Sequence, residues 1–189
     1  MTVSEEKRAL RRICAATRSG IPEAEKATAD KALCDCIAAH PAFREADLLL
    51  VFSAVRGEPE LRPLYERALA LGKALAFPVC VGQEMTFHTV DSLDTLRPGR
   101  FGILAPPADA PLAYPTARTL CLMPGLAAGR DGTRLGYGGG FYDRFLDTFP
   151  GICVFPIYEC LLFPTLPTEE TDHRVAHIVT EKGELKHRA

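Results

Sequence analysis

Short apolar runs recur along the chain and alternate with longer amphipathic stretches. The run DLLLVFSA at residues 47–54 is almost continuously apolar, which is typical of a parallel strand buried on both faces. Similar runs predict strands at residues 73–80, 85–90, 119–123, 151–158 and 176–180. Pro156 indicates that the predicted strand at residues 151–158 lies at a sheet edge or contains a bulge.

The amphipathic stretches predict four helices, near residues 4–20, 22–40, 60–71 and 141–149. Ser4 is the expected N-cap of the first helix, and Leu10, Ile13 and Cys14 form its expected apolar face. Because strands alternate with helices, the pattern predicts one three-layer α/β/α domain over residues 1–189. Its central sheet is expected to be mixed but mostly parallel.

Composition narrows the class of protein. The chain has 189 residues, 47% of them hydrophobic, and a formal charge of −2, so no basic face for nucleic acid is expected. It contains no apolar run long enough to span a membrane, and its N-terminus lacks the apolar core of a secretory signal. The seven cysteines are interpreted as reduced thiols, mostly in the core. We therefore expect a cytoplasmic protein.

Residues 123–149 form a glycine-rich loop between a predicted strand and a predicted helix. The loop contains seven glycines, at positions 125, 129, 132, 136, 138, 139 and 140. Such a loop brings backbone N–H groups close to a ligand, and a helix N-terminus favours phosphate. Arg130 and Arg134 add positive charge, so a nucleotide phosphate site is one hypothesis and a mobile surface loop is the other. The sequence lacks a P-loop motif, a dinucleotide-binding fingerprint and a G-x-S-x-G elbow.

Candidate ligand-binding side chains lie elsewhere in the chain. Ser53 and Glu58 lie at the C-terminal end of a predicted parallel strand, where open α/β sheets bind ligands, although Glu58 could instead stabilise a helix N-terminus. Asp143 and Asp172 are candidate Mg²⁺ ligands; the alternatives are an acid in the first turn of a helix and a solvated loop acid. Lys7 projects from the first helix together with residue 11, as a phosphate-binding pair or as a solvated basic face.

The segment MPGLAAGRDGTRLGYGGGFYDRFL closely resembles the signature of the 5-formyltetrahydrofolate cyclo-ligases, roughly VPGLAFD-x-x-G-x-RLGYG-x-GYYDR-x-L. The resemblance extends over nearly the whole chain. It includes KRALR at 7–11, Glu58, M-x-F at 85–87, FGI at 101–103, Asp172 and IVTE at 178–181. It implies a single α/β domain of the NagB/RpiA/CoA-transferase type.

The resemblance also implies a reaction. These enzymes, also called methenyltetrahydrofolate synthetases, use ATP as co-substrate and Mg²⁺ to convert 5-formyltetrahydrofolate to 5,10-methenyltetrahydrofolate, ADP and phosphate. Phosphorylation of the formyl oxygen activates the formyl carbon, and N10 of the folate then closes the ring. The implied partners are these small molecules, without nucleic acid or membrane, and we expect a monomer.

Site residues follow from the resemblance position by position. Those matching the ATP-binding positions are Lys7, Arg8, Arg11, Arg134, Leu135, Gly136, Tyr137, Gly138, Gly139, Gly140, Phe141 and Tyr142. Those matching the folate-binding positions are Ser53, Glu58, Tyr137, Gly138, Gly139, Gly140 and Phe141. Asp143 and Asp172 match the Mg²⁺-binding acids. Arg134 and Tyr142 are the expected catalytic residues, and Arg134 is expected to be an exposed loop arginine that contributes little to stability.

Four positions depart from the family pattern. Ala105, Gly129 and Leu161 stand where Glu, Asp and Gln are usual, and Phe141 replaces the first tyrosine of the motif. These departures leave open a second hypothesis, a folate- or nucleotide-binding homologue with reduced or lost turnover. A third is a sugar-phosphate isomerase or CoA-transferase-like enzyme, since related three-layer folds host those activities.

Overall fold

A computed structural model describes residues 2–99 and 102–185 of the chain. The helices are α1 (Val3–Ser19), α2 (Glu23–Ala39), α3 (Pro41–Glu45), α4 (Arg62–Ala70) and α5 (Phe141–Leu146). The longer strands are β1 (Leu48–Leu50), β2 (Ala74–Val81), β3 (Glu84–Val90), β6 (Thr119–Leu122), β9 (Ile152–Pro156) and β11 (His177–Thr180). The short strands are β4 (Arg97–Pro98), β5 (Leu104–Ala105), β7 (Ala127–Gly129), β8 (Arg134–Leu135), β10 (Leu162–Phe163) and β12 (Gly183–Glu184).

The central sheet has seven strands in the order β12-β11-β9-β6-β1-β2-β3. Its five inner strands run parallel, with Leu49 of β1 opposite Leu75 of β2 and Leu120 of β6. The two edge strands, β12 and β3, are antiparallel to their neighbours. The prediction of a mixed, mostly parallel sheet is confirmed.

Buried apolar side chains of the inner strands form the centre of the core. Leu49, Leu120 and Val154 are fully buried on three adjacent strands. Helix α2 contacts α4 and β11, α4 contacts β2, and α5 contacts β3. Within the described ranges, no helix combines the length and the apolar character that crossing a bilayer requires.

Helix α1 differs from its prediction at both its cap and its face. The N-cap is Thr2, not Ser4, because the Thr2 side chain accepts from Glu5 N–H while the Glu5 carboxylate accepts from Thr2 N–H. Ile13, expected on the apolar face, is 57% exposed. The buried residues of α1 are Lys7, Cys14 and Arg18. The helix therefore turns a largely cationic face toward the protein.

One strand prediction was wrong, and one hairpin was not predicted. Pro156 does not mark a sheet edge, because β9 lies between β6 and β11. The proline ends the strand, so its missing N–H interrupts no interior part of the ladder. The glycine-rich loop also contains regular structure that its composition did not predict. Strands β7 and β8 form an antiparallel hairpin, and β10 pairs with β7 to make a three-stranded sheet.

The cysteines divide between core and surface. Cys14, Cys34 and Cys121 are buried, which agrees with their place in apolar patterns. Burial raises the pKa of the Cys34 thiol to about 11, so this thiol is protonated at neutral pH. Cys80 and Cys160 are exposed, so the prediction of core thiols holds only for part of the set.

Candidate active site

The chain segments that follow β1 and β6 meet beside the C-terminal part of α1. These strands are parallel neighbours, so their carboxyl ends lie at the same edge of the sheet, where open α/β sheets bind ligands. Gly125 follows β6, and residues 55–58 form a turn after β1. Arg18 of α1 joins the two segments by donating to Gly125 O at 2.8 Å and to Arg56 O at 3.0 Å.

Glu58 is a buried carboxylate at this edge and is 2% exposed. Its Oε1 accepts from the Tyr137 hydroxyl at 2.6 Å, and its Oε2 accepts from Val55 N–H at 3.0 Å. Burial raises the pKa of Glu58; the hydrogen bonds and the charge of Arg18 lower it, and the net shift is upward. Both oxygens of this buried carboxylate are therefore hydrogen-bonded within the protein.

Arg18 was missed by the sequence analysis and is the most buried cation described in this region, at 2% exposure. Its Nη2 donates to the Tyr137 hydroxyl at 2.7 Å, in addition to its two bonds to backbone oxygens. The available signal was spacing, because Lys7, Arg11, Cys14 and Arg18 recur at intervals of four, three and four residues along one helix face.

The second part of the glycine-rich loop, residues 136–140, lies near the surface against α1. Arg11 Nε donates to Gly136 O at 2.8 Å, so the predicted phosphate-binding arginine contacts the predicted phosphate-binding loop. Gly138 has φ +95°, and a Cβ there would lie 3.3 Å from Arg11 Cζ. Gly140, at φ +64°, is the N-cap of α5. Both glycines therefore occupy backbone conformations that other residues adopt only with strain.

A groove of about 430 Å³ runs beside α1 and reaches Tyr137. Its lining is strongly cationic and includes Arg8, Arg11, Arg12, Arg18 and Arg56. Such a concentration of guanidinium groups suits a polyanionic ligand, since one guanidinium group can donate to two oxygens of a phosphate or carboxylate at once. The net charge of the whole chain gave no indication of this local field.

Arg134 is not the exposed loop arginine that the sequence predicted. Its side chain is 5% exposed, and Nη2 donates to Asp143 Oδ1 at 2.7 Å. The carboxylate also lies 3.4 Å from the backbone nitrogen of His173. Because Arg134 is buried in an ion pair, its removal is expected to lower the stability of the fold as well as to weaken ligand binding.

Lys7 forms the second ion-pair cluster of the site. Its Nζ donates to Asp172 Oδ2 at 2.5 Å and to Glu169 Oε2 at 2.7 Å. Burial lowers the pKa of Lys7, but the hydrogen bonds and charges of the two acids more than offset this, so the pKa is raised. The solvated-face interpretation of Lys7 is therefore wrong.

Asp143 and Asp172, the predicted Mg²⁺ ligands, lie in neighbouring parts of the site. The backbone nitrogen of His173, the residue after Asp172, lies 3.4 Å from Asp143 Oδ1. The side chain of Asp143 is 25% exposed and that of Asp172 is 20% exposed. Carboxylate oxygens reached by solvent are the donors that Mg²⁺ prefers, so the residues fit this ion. Each carboxylate is at present neutralised by a protein cation, Arg134 or Lys7.

Two buried polar atoms of the described residues have no hydrogen-bond partner, Arg134 Nε and the Tyr142 hydroxyl oxygen. Both belong to the predicted ATP-binding segment, and they are the two predicted catalytic residues. Burial raises the pKa of the Tyr142 hydroxyl, which is therefore a neutral donor. Unpaired buried polar groups are costly, so each of these atoms would gain from a hydrogen-bond partner.

The remaining predicted site residues have varied environments. Ser53 Oγ donates to Leu104 O at 2.6 Å, which connects the end of β1 to β5. Leu135 is buried at 1% exposure and packs in the hairpin, whereas Gly139 is exposed and Phe141 is half-buried. The FGI motif at 101–103 begins at Phe101, which lies outside the described residues.

A separate cluster of metal-ligand type lies between the helical layer and β11 and β12. Its members are His40, His177 and Glu184, whose ligand atoms lie within 4.8 Å of one another. However, His40 Nδ1 accepts from Ala42 N–H at 3.1 Å, so the neutral ring carries its proton on Nε2 and directs it to Glu184. The cluster is therefore a hydrogen-bonded group with no lone pair on Nε2 for a metal.

Comparisons with known proteins agree with the resemblance. The sequence model described as the 5-formyltetrahydrofolate cyclo-ligase family matches residues 3–181. The Escherichia coli K12 5-formyltetrahydrofolate cyclo-ligase is 30% identical over 148 residues, which are 75% of this chain and 81% of that protein. The Mycolicibacterium smegmatis 5-formyltetrahydrofolate cyclo-ligase is 29% identical over 136 residues, covering 68% and 70%.

A solved structure has a similar fold over almost the whole chain. The NMR structure of the Aquifex aeolicus 5,10-methenyltetrahydrofolate synthetase superposes with a TM-score of 0.84 at 29% identity, covering 97% of this chain and 93% of that one. The NagB/RpiA-type classification of the fold stays a prediction. The family match covers more than half of the chain, and therefore the chain belongs to the 5-formyltetrahydrofolate cyclo-ligase family.

Proposed function

We propose that the protein converts 5-formyltetrahydrofolate to 5,10-methenyltetrahydrofolate in an ATP- and Mg²⁺-dependent reaction that releases ADP and phosphate. One observation carries the proposal: Arg11, Glu58 and residues 136–140 are far apart in sequence yet converge on one edge of the sheet, while Lys7, one turn before Arg11, holds Asp172. In a member of this family, that convergence supports a site for two substrates.

The ATP phosphates are proposed to bind between α1 and residues 136–140. Arg11 already contacts this loop, and Arg8 lines the adjoining groove. The unpartnered Arg134 Nε supplies a further donor from beneath the loop. A triphosphate in this position would be surrounded by cations and backbone N–H groups, which is the main requirement for phosphoryl transfer.

Asp143 and Asp172 are proposed to hold Mg²⁺. When bound, the ion would neutralise negative charge on the phosphates. Arg134 and Lys7, the cations that pair with these acids, would then be close enough to donate to the phosphates as well. The residues themselves thus keep charge balanced whether or not nucleotide is bound.

The folate is proposed to bind with its pterin ring at Glu58. This carboxylate is buried and already accepts two hydrogen bonds. A ring N–H donor that replaces or joins Tyr137 would therefore bind to an acceptor that is shielded from water. Ser53 lies at the end of the same strand segment, beside Leu104. The tyrosine links this pocket to the loop that is proposed to hold ATP.

The chemistry requires positioning of the two substrates. The formyl oxygen attacks the γ-phosphorus, the bond to the bridging oxygen breaks, and ADP leaves. N10 then attacks the activated formyl carbon, and phosphate departs with the former formyl oxygen as N10 loses its proton. Arg134 and the neutral Tyr142 hydroxyl are the proposed donors to the developing negative charge.

The decisive experiment follows methenyltetrahydrofolate absorbance and ADP release after 5-formyltetrahydrofolate is added to the purified protein with Mg-ATP. We expect both signals, their loss with EDTA, and a strong reduction in Glu58→Gln. Glu60→Gln is the matched control, because Glu60 is an exposed acid two residues along the same segment. A folded sample that forms neither product would contradict the proposal.

A second candidate function is a folate- or nucleotide-binding homologue without turnover. It is favoured by the ion pairs that occupy both candidate Mg²⁺ acids and by the departures at Ala105, Gly129 and Leu161. Calorimetry that detects folate binding in a protein forming no ADP would support it. We further propose that the protein is monomeric and cytoplasmic, which light scattering and cell fractionation would test.

A further inference from the structure

We propose that Arg18 is a positioning residue for the folate pocket, because it fixes the Tyr137 hydroxyl and the turn that carries Glu58. The inference rests on the proposed function of Glu58 in folate binding. Arg18 does not belong to the basic pair that matches the family's ATP site. Its three hydrogen bonds connect the turn after β1, at Arg56, to two places in the glycine-rich loop, Gly125 and Tyr137.

The first argument concerns the direction of the hydrogen bonds. A guanidinium group can only donate, so the Tyr137 oxygen must accept from Arg18 Nη2. The single phenolic proton is then directed to Glu58 Oε1, 2.6 Å away. Arg18 therefore imposes one orientation on the chain of three groups, with Glu58 as its terminal acceptor.

The second argument concerns charge. The bonds of Arg18 all go to uncharged oxygens, two carbonyls and one hydroxyl. Its buried positive charge therefore acts on Glu58 through Tyr137 and favours the ionised carboxylate, against the effect of burial. An acceptor for pterin N–H groups has to be ionised to accept with both oxygens.

The third argument concerns the backbone around Arg18. Arg56 has φ +50° and Gly57 has φ +75°, so two consecutive residues of the turn adopt left-handed conformations. A Cβ at Gly57 would lie 3.5 Å from Arg18 Cγ, which places the turn directly on the arginine side chain. Arg56 is strained because it is a non-glycine residue with a left-handed backbone conformation. The hydrogen bond from Arg18 to Arg56 O helps to hold that conformation.

The test measures 5-formyltetrahydrofolate affinity by calorimetry between pH 5 and 8 in the full chain. Arg18→Met keeps the aliphatic stem and loses the donors, and we expect at least tenfold weaker binding, with the loss at low pH beginning at a higher pH than in the wild type. Arg67→Met is the control, since Arg67 is an exposed arginine in the last turn of α4.

Two further variants keep the inference testable if Arg18→Met fails to fold. Arg18→Lys retains the charge and is expected to keep the pH dependence while weakening affinity. Tyr137→Phe breaks the hydroxyl link and is expected to shift the acid limb upward, as Arg18→Met does. A role in folding alone would lower stability without moving the pH dependence of binding.

The two proposals fail in different ways. Folate binding that is unchanged in affinity and pH dependence in folded Arg18→Met or Tyr137→Phe would overturn the role of Arg18 and leave the proposed function intact. Absence of turnover in a wild-type protein that binds folate would overturn the proposed reaction, while the binding measurements would still decide the role of Arg18.

Discussion

Two parts of the glycine-rich loop, a hairpin half and an open half, are held in place in different ways. The hairpin half, residues 127–135, is held by its own backbone, for example by Gly129 N–H donating to Thr133 O at 2.8 Å. The open half, residues 136–140, is exposed at its centre and is held by side chains from elsewhere. Its external partners include Glu58, Arg11, Arg18 and Arg144.

Gly129 in the hairpin half and Gly138 in the open half require glycine for different reasons. In the hairpin half, a Cβ at Gly129 would lie 2.0 Å from Thr133 Oγ1 and 2.4 Å from Asp131 Oδ1. In the open half, a Cβ at Gly138 would meet only the flexible end of the Arg11 side chain. Glycine is needed at this position because its φ is positive. The first half is a packed support, and the second half is the part available to ligands.

The largest effect on stability is expected for Gly129→Ala. The added methyl group has no space between the Thr133 and Asp131 side chains, so we expect the free energy of unfolding to fall by about 3 kcal/mol, as for other overpacked sites. Gly20→Ala is the control, since its nearest contact would be an ordinary 3.4 Å. Urea unfolding measures both, and a wild-type midpoint for Gly129→Ala would show that the hairpin half is not rigid.

The next effect is expected for Gly138→Ala, at the centre of the open half. An alanine at φ +95° is strained by about 1–2 kcal/mol, and the loop can relax only by moving from Arg11. We expect the KM for ATP to rise at least tenfold. Gly72→Ala adds a Cβ at φ +74° with nothing within 4 Å, so it should cost similar stability and leave KM unchanged. Equal KM values in the two variants would remove the distinction between the halves.

The sequence predicted the open half better than the hairpin half. Glycine spacing and the family motif drew attention to residues 136–140, and the position of Arg11 on the first helix indicated a side chain that contacts them. Strands of two or three residues, such as β7 and β8, contain too few alternations for a period of two to be recognised. Arg18 was missed because a buried arginine has the same sequence pattern as a solvated one; only the bonds it makes distinguish them.

A smaller effect is expected from the pH dependence of the hairpin half. Burial raises the pKa of Asp131, but bonds from Thr133 and Thr165 and the charge of Arg174 outweigh it and lower the pKa to about 2. The ionised carboxylate therefore stabilises the fold fully above its unfolded pKa of about 3.9, and this contribution is lost as pH falls toward 2.

Asp131→Asn tests that contribution. Since the side chain is one-third exposed, we expect a loss of only about 1 kcal/mol near neutral pH, which shrinks as pH falls from 4 to 2. Chemical unfolding at several pH values measures the difference from the wild type. The exposed Asp109→Asn is the control and should show no such trend. A constant difference at all pH values would mean that Asp131 acts by packing alone.

The smallest effect is expected for Arg144→Ala, which removes the contact between α5 and the open half. Arg144 Nη2 donates to Gly139 O at 3.1 Å and to Gln83 O at 3.0 Å. The side chain is exposed, so its loss should lower stability by only about 0.5 kcal/mol. Because Arg11 and Arg18 still hold residues 136–137, the loop should loosen only at its far end, and we expect the KM for ATP to rise a few-fold. Steady-state kinetics beside the exposed Arg67→Ala measures this change. A loss as large as that of Gly138→Ala would instead make α5, and not α1, the main support of the ligand loop.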